Sequence, residues 1–130
     1  MGLFDFFGKK TETTEKEQKQ LPWLRLTRVE QLEEIKEISK TVPVAIFKHS
    51  TTCGISRMVL RNFESDYAVD ANQLKLYYLD LHAFREVSNE VGYQFQVVHQ
   101  SPQLLVIKNG VAVYHASHHS IHAVDLEKFI

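Results

Sequence analysis

A chain of 130 residues, with 44% hydrophobic and 24% charged positions, has the size and composition of one ordinary globular domain able to bury a working core. Its 15 basic and 16 acidic side chains leave a net charge of -1, without the basic excess that binding a phosphate backbone demands, so no nucleic-acid partner is expected. A single cysteine excludes an intrachain disulfide and with it the stapled secreted scaffolds, which favours a reducing, cytoplasmic compartment.

In chain order, residues 1–20 separate from the rest. An apolar tip, Leu3-Phe4-Asp5-Phe6-Phe7, precedes a charged, threonine- and glutamine-rich run over residues 9–20. Such a run cannot bury enough apolar surface to offset its ordering entropy, so residues 1–20 are expected to be a flexible arm on a domain spanning residues 21–130. The tip reads either as a mobile terminus or as a short membrane-surface or partner-docking element. It lacks the basic region and cleavage site of a signal peptide, and no segment reaches the roughly 20 apolar residues that cross a bilayer, so stable membrane insertion is not expected.

After Pro22, residues 23–26 form a candidate strand, and Thr27 with Glu30 reads as a capping box opening a helix with an apolar stripe of Val29, Leu32, Ile35 and Ile38. Residues 42–47 are densely apolar and β-branched, the pattern of a central strand buried on both faces. A polar turn, His49-Ser50-Thr51-Thr52-Cys53-Gly54, leads into a helix over residues 55–63 and on toward Tyr67. Residues 74–81 repeat the buried-strand pattern, and residues 83–91 read as a helix closed by Gly92. Residues 103–107 and 111–115 are strands joined by Asn109-Gly110, the pair that suits a type I′ hairpin. A last helix is predicted over residues 125–130. Alternating βαβ segments followed by a hairpin and helix predict an α/β fold with a central mixed sheet, the plan of thioredoxin-like proteins.

Cys53 lies where a buried strand hands over to a helix, beside first-turn amides whose free N–H groups and positive dipole end favour a thiolate. Ser56, three residues on, stands where a C-x-x-C oxidoreductase has its resolving cysteine. Without a second thiol, a mixed disulfide on Cys53 must be released by an outside thiol. Ser56 can hydrogen-bond the Cys53 sulfur or serve only as a first-turn helix serine. Ser101-Pro102 opens a strand, a position proline tolerates; since only about 5–6% of X–Pro bonds in folded proteins are cis, the residues by themselves favour a trans strand-entry proline.

The segment Thr52-Cys53-Gly54-Ile55-Ser56, with Phe47-Lys48-His49-Ser50 before it and Ser101-Pro102 after, resembles the monothiol bacilliredoxins over residues 23–130. That resemblance implies a thioredoxin-like fold, a cis Pro102, and a glutaredoxin-like thiol-disulfide oxidoreductase of redox homeostasis. In bacteria of this kind bacillithiol, a cysteinyl-glucosaminyl-malate thiol, stands in for glutathione. The family motif is usually T-C-P-I-S, so Gly54 is a departure that loosens the helix start and spares the nucleophile.

By the same resemblance, Cys53 takes bacillithiol from bacillithiolated client proteins and is regenerated by free bacillithiol, with Thr52, Gly54 and Ser56 around the thiolate and Ser101 and Pro102 presenting backbone to the bound disulfide. Phe47, six positions before Cys53, replaces the buried aspartate that assists a resolving thiol in thioredoxins. Lys48 and His49, at the end of the central strand, are candidates for meeting the malate carboxylates or favouring the thiolate by proximity; a solvated rim is the plainer reading. His118, His119 and Ser120 are candidates for the thiol-ligand site, because they follow the last strand where glutaredoxins hold the glutathione carboxylate.

His118 and His122 also have the spacing of a metal-binding pair, but no carboxylate completes a set and no metal is expected. A monomer is expected. The second functional reading is a non-catalytic sensing or adaptor module modified at Cys53.

Overall fold

The computed structural model describes residues 20–130; the expected arm over residues 1–20 lies, but for Gln20, outside the described residues. Five strands form one sheet: β1 (Trp23–Arg25), β2 (Val44–His49), β3 (Lys75–Asp80), β4 (Gln103–Lys108) and β5 (Val111–Ser117). Their order is β1-β3-β2-β4-β5. β1 and β2 run parallel to β3, while β4 is antiparallel to β2 and β5 to β4. Among the described residues three α-helices, α1 (Gln31–Ile38), α2 (Gly54–Asp66) and α3 (Arg85–Phe95), complete the crossovers, and 3-10 turns over His118–Ser120 and Ala123–Phe129 end the described chain.

Side chains alternate across a strand, and β2 uses both faces. Val44 and Ile46 join Leu32 and Ile35 of α1 and Val87, Val91 and Phe95 of α3 in one core. Ala45 and Phe47 join Val59 and Phe63 of α2, with Leu126, in the other. This double burial is why the strand reads as a continuous apolar run. Its start shifts from the expected Val42 to Val44, behind Pro43, and it runs on through Lys48 to His49.

Three local expectations are corrected. The capping box at Thr27 does not form: Glu30 is the N-cap and makes no side-chain cap bond. Gln31 takes over, its Oε1 accepting the N–H groups of Thr27 and Arg28 at 2.7 and 2.9 Å. Gly92 does not end α3, which continues to Phe95 and closes on Gln96 in the left-handed region at φ 58°. A Cβ at Gly92 would lie 3.0 Å from the Val97 carbonyl oxygen, so that glycine admits the returning backbone from inside the helix. The last helix is a 3-10 segment that begins at Ala123 rather than Asp125.

The hairpin forms as expected, with Asn109 and Gly110 both at positive φ, 52° and 80°, as a type I′ turn requires. Ser39, at the end of α1, holds its tip by accepting Asn109 N–H at the carbonyl and Gly110 N–H at Oγ, each at 2.8 Å.

Candidate functional site

Cys53 is the N-cap of α2, extended at φ -108° and ψ 124°, and its side chain is half-buried and free. Its N–H donates to Ser50 O at 3.2 Å and its carbonyl accepts Arg57 N–H at 3.1 Å, which closes a tight turn and starts the helix. The sulfur makes no hydrogen bond to the cap amides. Ile55 and Met58, in the first turns of α2, are exposed apolar side chains.

The turn is fastened from two sides by residues the sequence did not single out. His82, just past β3, places Nε2 2.8 Å from Ser50 Oγ and 3.2 Å from Thr52 Oγ1. Asp80 Oδ1 accepts the N–H groups of His82 and Ala83, both at 3.2 Å. Arg57 donates from Nη1 to Thr51 O at 3.3 Å. No local pattern marks the His82 contacts, because they join the segment after β3 to a loop about thirty positions earlier.

Ser56 is fully buried. Its Oγ accepts Ser50 N–H at 3.0 Å and stands 2.8 Å from His49 Nδ1, so its hydrogen-bond partners are these two groups and not Cys53. His49, expected near the rim, is itself buried. Burial holds its imidazole below the usual histidine range; Asp80 opposes that shift, and Arg57 and His82 add to it.

Lys48 goes the other way. By strand alternation it shares the face of Val44 and Ile46, while His49 shares that of Phe47 and α2. Lys48 is 0% exposed. Its Nζ lies 3.2 Å from His99 Nδ1, and burial lowers its pKa to about 8. His99 is likewise held low by burial, then by the charges of Lys48 and Arg85. The two candidates Lys48 and His49 therefore lie on opposite faces of the sheet.

The peptide bond between Ser101 and Pro102 is cis. Pro102 O accepts His118 N–H at 3.0 Å, with His118 at φ 55°. Two candidate segments far apart in sequence thus meet directly. His118, His119 and Ser120 follow the last strand as expected, although β5 runs on to Ser117 rather than ending at His115. His118 and Ser120 line a cleft of about 610 Å³ with Val98, Gln103 and Ser117. His119 instead lines a cavity of about 160 Å³ against α2, with Asn62, Asp66 and His122. His118 and His122 do not share a cavity, and among the described residues no group of three metal-ligating side chains is placed to hold an ion.

Gly54 occupies N1 of α2 with open space around it: the nearest atom to an added Cβ is Arg57 Nη2, at 3.9 Å. The first helical position has no intrahelical use for its N–H and suits proline, and the extended Cys53 backbone is what a residue before proline adopts. Gly54→Pro is expected to raise stability by about 0.4–1 kcal/mol, read as a higher denaturant midpoint; a lower midpoint would contradict this geometry.

Three kinds of likeness bear on the site. A family model for the monothiol bacilliredoxin BrxC matches residues 24–126. A solved protein described as having a thioredoxin fold is 28% identical, with 82% of this chain and 92% of that one covered and a TM-score of 0.70. The thioredoxins of Schistosoma mansoni and Malassezia sympodialis share only the fold. The first is 22% identical over 83% of this chain and 95% of its own, at a TM-score of 0.64. The second is 19% identical over 84% and 90%, at 0.61.

Proposed function

This chain belongs to the monothiol bacilliredoxin family, and on that premise we propose that it reduces protein–bacillithiol mixed disulfides through Cys53. Family and fold together support a thiol redox role. The observation that carries the finer reading is a lone, half-buried cysteine at the N-cap of α2, with Ser56 in the place of a second thiol.

The Cys53 thiolate attacks the bacillithiol sulfur of the client's mixed disulfide. A Cys53–bacillithiol disulfide forms, the client–bacillithiol bond breaks, and its electron pair leaves on the client thiolate, which takes up a proton. A second bacillithiol, as thiolate, attacks the bacillithiol sulfur on Cys53, giving bacillithiol disulfide and the free enzyme. Since Cys53 is the single cysteine, no internal thiol competes with that outside attack.

Thr52 and Gly54 shape the turn, Ser101 and Pro102 present backbone to the client, and His118 and Ser120, which share a cleft, meet the thiol ligand in this reading, with His119 in a separate cavity beside α2. Exposed Ile55 and Met58 offer the client an apolar footing. The protein works as a monomer in the cytoplasm.

A recycling assay with a bacillithiolated client, bacillithiol, and the reductase that restores bacillithiol from its disulfide tests the proposal. Multiple turnovers are expected from the wild type, with Cys53→Ser falling by at least about a thousandfold. One stoichiometric modification of Cys53 without turnover would replace catalysis with the adaptor reading.

A further inference from the structure

Pro102 is secured by backbone on one side only. Its carbonyl accepts His118 N–H at 3.0 Å, and β4 begins with the next residue, Gln103. On the other side lies the approach, residues 98–101, and among the described residues the hydrogen bonds that hold it come from two side chains. Gln103 donates from Nε2 to Val98 O at 3.1 Å, and Lys48 Nζ lies 3.2 Å from His99 Nδ1. Lys48 and Gln103 are register partners on β2 and β4, so both side chains rise from the same face of the sheet. Together they make one strut beneath the approach.

Each bond has a fixed sense. A carbonyl oxygen can only accept, so Gln103 turns its NH2 group to Val98. Lys48 keeps its charge at neutral pH, with a pKa of about 8, and an ammonium has three donors and no acceptor. His99 Nδ1 is therefore the bare nitrogen, and the ring proton sits on Nε2.

The strut weakens the fold that holds it. Lys48 is 0% and Gln103 1% exposed, on a face otherwise built from Val44, Ile46, Leu79, Leu105 and Ile107. Gln103 Oε1 has no partner among the described residues, and the partner of the ammonium is a neutral imidazole. Polar groups buried in this way cost folding free energy, and apolar side chains would serve the core better. A cost kept at one spot beside a binding edge points to function.

We propose that Lys48 and Gln103 are positioning residues: through His99 and Val98 they fix the approach to Pro102, and with it the backbone edge that Ser101 offers an extended client. The proposal rests on Cys53 being the nucleophile and on Ser101-Pro102 meeting the client, and it deepens that reading by naming what holds the edge. The strut stands on the face opposite α2, so the reactivity of Cys53 itself is independent of it.

The test compares two rates of the full chain at neutral pH: alkylation by iodoacetamide, and exchange with an extended peptide whose cysteine is disulfide-bonded to thionitrobenzoate. In the exchange the Cys53 thiolate attacks the peptide sulfur, a Cys53–peptide disulfide forms, and thionitrobenzoate leaves with the electron pair as a coloured thiolate. Only the peptide has a backbone to lay along Ser101. Lys48→Met and His99→Ala are each expected to slow peptide exchange about tenfold, the scale of one hydrogen bond to a charged group, and to leave alkylation unchanged. His99→Asn, whose Oδ1 takes the place of Nδ1, is expected to keep the wild-type exchange rate. Lys48→Met should lose exchange while its denaturant midpoint rises, which a lysine kept for the fold would not show.

An unchanged peptide rate in His99→Ala would overturn the proposal. So would a parallel fall in both rates, since the disturbance would then have reached the Cys53 turn, or a His99→Asn variant as slow as His99→Ala. Peptide effects as expected alongside failed turnover of a bacillithiolated client would leave the strut standing and count against the bacillithiol reading; turnover without the peptide effects would do the reverse.

Discussion

Replacing Phe63 by alanine is expected to cost about 3–5 kcal/mol of stability. Phe63 is 1% exposed, and its ring lies 5.2 Å from Phe47, 6.1 Å from Trp23 and 5.8 Å from Tyr67 between centroids. The four rings lock α2 onto β2 and the incoming β1. Truncation removes the transfer free energy of one ring and leaves a cavity that the three elements meeting there cannot close. A shift of the denaturant midpoint with unchanged slope is the expected readout; a loss under about 1 kcal/mol would mean the cluster does not seat the helix. Because α2 carries Cys53 at its N-cap, the same variant should also react less uniformly with thiol reagents.

Lys48→Met is expected to act in the opposite direction, raising stability by about 1–3 kcal/mol at pH 7. The ammonium is enclosed and faces a histidine rather than a carboxylate, and burial lowers its pKa to about 8. A lysine whose folded-state value lies below its unfolded value near 10.4 makes folding unfavourable while both states are charged. Between about pH 8 and 10.4 the unfolded chain binds more protons than the folded one, so stability contributed at this site rises with pH. Below about 8 the penalty is complete. The advantage of Lys48→Met over wild type should therefore be largest at neutral pH and shrink toward pH 10. Equal midpoints at pH 7, or an advantage that grows with pH, would contradict this account of Lys48.

Much of the fold was legible because burial writes itself into local pattern. β2 and β3 read as apolar runs over residues 44–47 and 76–79, where they are covered on both faces, and Asn109-Gly110 announced a turn that needs two positive φ angles. The placement of Cys53 at the mouth of α2 was legible for the same reason, since it stands in a polar turn between a buried strand and an amphipathic helix.

The parts that were not legible depend on contacts between distant segments. Nothing local says that His49 will bond a hydroxyl seven positions on, or that His82 will reach back to Ser50 and Thr52. Lysine is normally a surface residue, so the enclosure of Lys48 had no sequence signal. Gly92 looked like a helix end because glycine usually is one; here Val97 returns across it, and the helix continues. His118, His119 and Ser120 follow β5 as expected, but nothing local says that they divide between two cavities.

A redox role through Cys53 requires that its sulfur become the carrier of the small thiol. Intact-protein mass after mixing with a bacillithiolated client should show one bacillithiol added to the wild type and none to Cys53→Ser, with free bacillithiol then returning the wild type to its starting mass. A wild type that stays unmodified while the client keeps its bacillithiol, under conditions where iodoacetamide labels Cys53, would contradict it.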